Sequence, residues 1–274
     1  MFHVKHMFKK DRISIQVKDF IASDELYKLY EDKDTGIVWT DVGEGHNHAK
    51  YYISDKYIPH SNNKGLVYDL SQKIMFIYKH CILNKYFKRS KTILDYGSGD
   101  GKFVSYLEKN GIKALAYDPL KGKEKKTVNL IQNIDFQSDM IMMWHVLEHI
   151  PGLQNTLSQI LKKLNKEGIL VVAVPNRDCF DAKIYKEYWA AWDAPRHLYH
   201  FNHKSLVRLM SSHGLSLKSK KPLFLDSFYV SYLSEKYKKS HFPILSAVFV
   251  GMLSNFLACF SRNYSSSIYV FVKN

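Results

Sequence analysis

Three groups of residues in this 274-residue chain are spaced so that they could do chemistry. The first is Asp95-Tyr-Gly97-Ser98-Gly99-Asp-Gly101, where glycines let the main chain bend sharply and let a ligand approach where no Cβ stands in the way. Asp118 follows Gly97 by 21 positions (118 − 97), and a carboxylate there can accept hydrogen bonds from both hydroxyls of a ribose. The second is Trp144-His145-Val-Leu-Glu148-His149. His145, Glu148 and His149 fall at i, i+3 and i+4, so on a helix they would share one face and could bind zinc. The third runs from Trp189 to Phe201 and gathers Trp192, Asp193, Arg196, His197, Tyr199 and His200. Flat aromatic faces with a few orienting polar groups suit a sugar or ring ligand. Arg196 could grip a phosphate or carboxylate with two N–H groups. Either histidine, with an ordinary pKa of about 6.5, could take a proton from a hydroxyl.

The elements that must position these groups follow from hydrophobic spacing. Thr92–Tyr96, Ala114–Tyr117, Met140–Met143 and Ile169–Val174 read as short buried strands, with a weaker strand near Val128. Helices fall between them: Phe103, Val104 and Leu107 before the Asn110-Gly111 stop, and Leu153–Leu164 with Leu157, Ile160 and Leu161. Alternating strands and helices argue for right-handed βαβ units and a parallel sheet. Leu215–Leu217 and Ile268–Val272 are late strands, the last an antiparallel closing strand. Upstream, Leu66, Leu70, Ile74, Ile77, Cys81 and Ile82 recur at three- and four-residue spacing, which predicts an amphipathic helix. Residues 24–40 predict a hairpin around Lys33-Asp-Thr-Gly36. Residues 41–63, rich in His, Tyr and Asn, read as a surface loop or lid that includes Tyr52. The glycine turn then joins a strand to a helix, beyond the carboxyl end of the sheet, where ligands of open α/β sheets sit.

The type of nucleoside is narrowed by the glycines. A dinucleotide fingerprint needs its third glycine at position 102, which is Lys102, and no Gly-Lys-Ser/Thr follows as a phosphate loop would require. Asp-x-Gly-x-Gly-x-Gly with an acidic residue ending the next strand resembles motif I of the class I S-adenosylmethionine-dependent methyltransferases. His145-Val-Leu-Glu-His149 and Gly168–Asn176 are similar to further segments of that superfamily. Trp189-Ala-Ala-Trp-Asp-Ala-Pro-Arg-His-Leu-Tyr-His-Phe201 and Tyr51–Ser54 through His60 resemble bacterial methyltransferases found among polysaccharide- and sugar-modifying genes. The likeness covers roughly residues 40–274 and is strongest over 92–202. Many relatives carry N-terminal cysteine pairs; this chain has none there, so a zinc knuckle is not carried over.

The resemblance implies a cofactor, S-adenosylmethionine, with S-adenosylhomocysteine as product. It implies that Asp95, Gly97, Ser98, Gly99 and Gly101 lie around the methionine and ribose portions, with Asp118 and Pro119 at the ribose and Trp144 and His145 flanking the cofactor. Some related O-methyltransferases hold a metal near here, but with an acidic residue where this chain has His145, and no metal is expected. His145, His149, His197 and His200 are the candidate proton acceptors, and Tyr52, Trp192, Arg196 and Tyr199 the candidate substrate contacts. The expected fold is an α/β, Rossmann-like doubly wound sheet of about seven strands. It is mostly parallel with an antiparallel closing strand, an N-terminal hairpin and lid region (1–63) and a methyltransferase domain (64–274). That domain contains a substrate segment (177–203) and a helical insertion (222–262).

Composition bounds the partners. Three scattered cysteines exclude a disulfide framework and fit a reducing compartment, so the cytoplasm is the expected location, with membrane association as the alternative. Forty basic against 26 acidic residues leave +14, which could attract nucleic acid, an anionic membrane or a phosphorylated substrate. The lysine clusters are short and scattered and no nucleic-acid module accompanies them, so a nucleic-acid partner is not expected. Phe242–Phe260 holds 19 residues without a charge. It is expected to be a buried helix or helical hairpin, with a membrane-surface patch or a span as the alternatives. The expected acceptor is a small molecule, a hydroxyl of a saccharide or its nucleotide- or lipid-linked form. The rivals are an RNA methyltransferase, a non-catalytic cofactor-binding or membrane-associated protein, and a zinc hydrolase built on His145, Glu148 and His149.

Overall fold

The computed structural model describes residue 10 and residues 12–43, 66–118 and 137–274. Tyr52, Pro119, most of the expected lid and the weak strand near Val128 lie outside the described residues. Five helices and six strands build the larger layer system: α1 (Leu66–Phe87), β4 (Ile93–Tyr96), α2 (Lys102–Lys109), β5 (Leu115–Tyr117), β6 (Ser138–Trp144), α3 (Leu153–Leu161), β7 (Leu164–Pro175), α4 (Phe180–Tyr185), α5 (His203–Ser212), β9 (Leu215–Pro222) and β10 (Ser266–Lys273). The sheet order is β5-β4-β6-β7-β10-β9. Pairing is parallel from β5 through β7, and β10 runs antiparallel between β7 and β9. The mixed, mostly parallel sheet with its antiparallel closing strand agrees with the sequence reading.

The strands are apolar on both faces because helices cover both, as parallel sheets require. Met140, Met142, Val171, Ala173, Ile268 and Val270 pack toward α1 and α2, against Leu83, Phe87, Phe103, Val104 and Leu107. The intervening Ile141, Met143, Leu170, Val172, Tyr269 and Phe271 pack with Leu153, Leu157 and Leu161 of α3 and Leu206, Leu209 and Met210 of α5. The period-two alternation thus divides one set of strands between two cores.

Helix α1 forms as its spacing predicts, but the stripe read as its buried face points outward. Leu70, Ile74 and Ile77 are 44–61% exposed, whereas Leu83, Tyr86 and Phe87 are buried. Aromatic residues between the stripe positions, among them Phe76, whose ring centroid lies 5.2 Å from that of Phe103, make the contact instead.

A second, four-stranded sheet was only partly foreseen. The hairpin β2 (Leu26–Glu31) and β3 (Val38–Thr40) matches expectation. It gains β1 (Arg12–Lys18) on one side and β8 (Tyr199–His200) on the other, in the order β1-β2-β3-β8. Val38 pairs with His200 and Trp39 with Tyr199. The N-terminal hairpin is therefore joined to the 177–203 segment through β8.

The 242–260 stretch is a correction. It forms a single helix, α7 (Pro243–Ser261), that is not buried. Ala247, Gly251, Ser254 and Ala258 form a stripe of small residues against α6 (Asp226–Tyr237) and α4, while Ile244, Leu245, Phe249, Met252, Phe256 and Phe260 are all more than 60% exposed. The physical reason lies in that stripe: small side chains let α7 approach closely, and a narrow stripe buries little of the remaining circumference. A Cβ at Gly251 would stand 2.6 Å from Phe228 Cδ1 and 3.1 Å from its Cα. Gly251→Val should push α7 from α6 and cost roughly 1–3 kcal/mol. A melting temperature equal to wild type in a thermal-unfolding scan would contradict the packing described.

Candidate functional site

Strand β4 carries the glycine turn. It pairs with β5 on one side and β6 on the other, so the sheet reverses its winding at β4, and a crevice opens beyond the carboxyl ends of the strands there. The turn is fastened from both sides. Gly97 and Ser98 donate their amides to the carbonyl of Tyr117, at 2.7 and 3.1 Å. The Gly99 amide donates to Asp118 Oδ2 at 2.8 Å. Gly97 has φ +80°, and a Cβ on it would lie 2.4 Å from Val146 Cγ2. Gly99, with φ +58°, faces space that is empty within 4 Å. One glycine thus permits close packing against the chain leaving β6, and the other leaves room for a ligand.

Several buried polar atoms at this crevice lack hydrogen-bond partners among the described residues: Asp95 Oδ1, Ser98 Oγ and Trp144 Nε1. Such atoms cost free energy unless a ligand or water meets them. Burial pushes the Asp95 carboxyl up to about 7, with Lys79 opposing the shift and Asp118 adding to it. Lys79 Nζ lies 4.0 Å from the centroid of the Trp144 ring, and burial lowers its pKa to about 8 despite Asp226 and Asp95. These residues, with the space before Gly99, fit an elongated ligand that carries both charge and a flat ring. Lys79 was missed in the sequence because it sits in the middle of a helix whose facing was misread; a lysine among aromatics is the signal that could have found it.

After β6 the chain turns through His145 in a left-handed conformation, φ +53°, into a short 3-10 turn, Leu147–His149. The turn separates the three residues of the zinc-like pattern. His145 bridges two acids: Nδ1 is 3.3 Å from Glu148 Oε1 and Nε2 is 3.2 Å from Asp226 Oδ2. Burial disfavours its charge, but the two carboxylates outweigh this and raise its pKa to about 10. Asp226, at the start of α6, could not be assigned here from sequence because it arrives from the insertion.

Glu148 and His149 instead meet His197 from the 189–201 segment. Ligand-type atoms of the three lie within 4.8 Å of one another, and the two imidazole centroids are 4.5 Å apart. The Nδ1 of His149 pairs with the carbonyl of Arg196 at 2.9 Å, and that of His197 with the carbonyl of Ala191 at 2.8 Å. A carbonyl cannot donate, so each Nδ1 carries the proton and each Nε2 the lone pair. Burial lowers the pKa of both imidazoles to about 4. Glu148 is 1% exposed; burial opposes its charge, but His145 more than compensates and holds its pKa below the usual range. The site therefore places a carboxylate beside two neutral imidazoles.

The remaining candidates from 177–203 are differently placed. Arg196 is 1% exposed, and its fork is engaged by Asp193 at 2.6 Å and Asp19 at 3.1 Å. It anchors the segment to the loop after β1 and, with Trp192 and Asp193, lines a small cavity that Phe20 and Tyr237 complete. Trp192 is buried and donates Nε1 to the carbonyl of Lys186. Tyr199 is buried in the core shared with α3 and α5. His200 Nε2 is 2.9 Å from Thr40 Oγ1, and burial, with His197, Arg177 and His149 close by, pushes its pKa well down. A small cavity of ≈ 10 Å³, room for about one water, is lined by Arg177, Trp189, His197, Tyr199 and His200 among others.

The family described as a methyltransferase domain matches residues 67–220, over half of the chain, and the chain belongs to it. Ubiquinone biosynthesis O-methyltransferase from two strains of Rickettsia bellii is 26% identical over 102 residues, which is 31% of this chain and 42% of that protein. The match thus spans less than half the length of these curated relatives. Among solved structures, the plantazolicin methyltransferase BpumL, crystallised with S-adenosylhomocysteine and a pentazolic desmethylPZN analog, is 16% identical with a TM-score of 0.51, covering 83% of this chain and 94% of that one. This likeness shows the shared fold. Magnesium protoporphyrin IX methyltransferase from Synechocystis PCC 6803, crystallised with S-adenosylhomocysteine, is 12% identical with a TM-score of 0.48, covering 79% and 91%.

Two expectations follow for ligand binding. Asp118→Ala should cut methyl-donor affinity and Gly99→Val should abolish it, with titration calorimetry as the readout; unchanged affinity in both would place the donor elsewhere. Because burial raises the Asp95 pKa to about 7, a cationic donor should bind more tightly as pH rises from 6 to 8, and Asp95→Asn should flatten that dependence. The same raised pKa means that the folded state keeps a proton the unfolded chain has lost, so Asp95 costs stability progressively from about pH 4 to pH 7. Asp95→Asn should therefore raise the melting temperature of the ligand-free protein above pH 7 and leave it unchanged at pH 3.

Proposed function

We infer that the protein transfers a methyl group from S-adenosylmethionine to a hydroxyl of a saccharide, free or linked to a nucleotide or lipid. One observation carries the reading: the turn after β6 packs on the glycine turn through Val146, and the same turn delivers Glu148 and His149 to His197. A donor crevice and a proton-accepting cluster are thereby joined by three residues of chain. Support for the saccharide comes from the resemblance of 189–201 and 51–60 to sugar-modifying methyltransferases.

When bound, the cofactor supplies a methyl on a positively charged sulfur, open to displacement by an oxygen. The glycine turn would give it main-chain approach, Asp118 would accept from the ribose hydroxyls, and Trp144 would offer an aromatic face. Asp95 in its ionised form complements the donor's positive charge. His149 or His197 accepts the acceptor hydroxyl's proton at Nε2, and Glu148 holds the resulting imidazolium by its charge. His145, already a cation between Asp226 and Glu148, keeps that carboxylate ionised and fixes the turn. Arg196, with Asp19 and Asp193, keeps the segment bearing His197 in place.

Isotope-labelled methyl donor incubated with cell extract should leave label in glycan or lipid-linked sugar fractions; label confined to RNA or protein would overturn the acceptor class. The loss of either His149 or His197, by substitution with Ala, should lower kcat by about 10²–10⁴ if that residue is the base, with donor affinity unchanged. The acid limb of kcat should stay flat from pH 8 to pH 6, because both imidazoles remain unprotonated there. A rate that fell steeply below pH 7 without any change in donor affinity would count against them.

A further inference from the structure

Helix α7 presents a surface that neither the fold nor the site explains. Its 19 residues carry no charge and have a mean hydropathy of 1.9, yet only 22% of that window is buried. Exposure reaches 73% at Leu245, 68% at Phe249 and 77% at Phe260. A contiguous apolar face of this kind marks an interaction surface.

The structure limits how the face can be covered. Pro222 of β9 pairs with Ser267 of β10, so the α6–α7 excursion leaves and rejoins the same sheet edge. Its inner stripe is bolted down by polar bonds that belong in the protein. Ser254 Oγ donates to Asp181 Oδ1 at 2.7 Å, and Asn255 Nδ2 to the carbonyl of Phe224 at 2.9 Å. A helix so fixed lies along the domain rather than crossing a bilayer apart from it.

Charge decides the occupant. Lys236, Lys238 and Lys239 precede α7, and Arg262 follows it. Lys220 Nζ donates to the carbonyl of Arg262 at 2.7 Å, adding a cation at that end. From Lys236 to Asn274 the sequence contains no Asp or Glu. A second copy docked face to face would bring cationic ends against cationic ends in either orientation. An anionic surface would be attracted to both ends at once.

We propose that α7 docks the protein on an anionic lipid bilayer, with Leu245, Phe249, Met252, Phe256 and Phe260 among the acyl chains and the flanking lysines and Arg262 at the headgroups. An apolar helix face bordered by basic residues binds at an interface in this way. Docking does not depend on methyl transfer. The further consequence, that the acceptor is the lipid-linked form of the saccharide, rests on the function inferred above.

The test is flotation of the full chain with vesicles of phosphatidylcholine alone or with 30% phosphatidylserine, at low and high salt, without methyl donor. The protein should float with the anionic vesicles at least tenfold more than with the neutral ones, and salt should weaken this. F249E/F256E should abolish flotation while melting temperature and donor affinity stay at wild-type values, since both side chains point away from the domain. K236E/K238E/K239E should weaken binding by about a hundredfold or more, from roughly a fivefold loss per lysine. No flotation of the wild-type chain would overturn the proposal. So would a concentration-dependent dimer by light scattering that F249E/F256E dissolves in the absence of vesicle binding. Either failure leaves donor titration unaffected, so it is distinguishable from failure of the methyl-transfer reading.

Discussion

The site depends on one close approach. Gly97 and Val146 come so near that a Cβ on the glycine would stand 2.4 Å from the valine side chain. That contact exists because β4 and β6 are adjacent parallel strands, so the turns leaving their carboxyl ends must share the same space. Glycine at 97 relieves the crowding, and its φ of +80° suits a residue without a Cβ. The turn that could hold a cofactor and the turn that bears Glu148 and His149 are consequently one packed unit.

Around that unit the buried and half-buried charges fall into three sets with different tasks. Asp95 and Lys79 each lose part of their charge preference to burial and remain sensitive near neutrality. His145, held by Asp226 and Glu148, is a fixed cation. Arg196 with Asp19 and Asp193 is a closed triad, which stabilises less than it specifies: breaking it would leave a buried charge unpaired. The triad ties the loop after β1 to the segment carrying His197, which is why the first strands of the chain matter to a site more than a hundred residues downstream.

A second hub does the same for the insertion. Asp181, fully buried, accepts bonds from Trp189 Nε1, Ser254 Oγ and Ser265 Oγ at 2.7–2.8 Å. It gathers α4, the 189–201 segment, α7 and the approach to β10. The apolar helix is thus linked through one carboxylate to the segment that supplies His197.

Much of this was legible in the sequence, and what was not has a common cause. The central strands, the glycine turn and the closing strand followed from short apolar runs and from glycines whose backbone demands are local. The facing of α1 was misread because apolar spacing shows that a helix has a stripe, not whether aromatics beside it pack better. The 242–260 stretch looked buried because composition reports apolarity, whereas exposure depends on what lies opposite. His145, Glu148 and His149 looked like one helical face, but the chain turns through a left-handed residue there, and His197 takes the place of His145. Residue type and local spacing determined the elements and the glycine turn. Which side chains meet across them, and which cations and carboxylates neutralise one another, was decided only when β8, α6 and the N-terminal strands were folded against the sheet, because those contacts join residues that no local pattern relates.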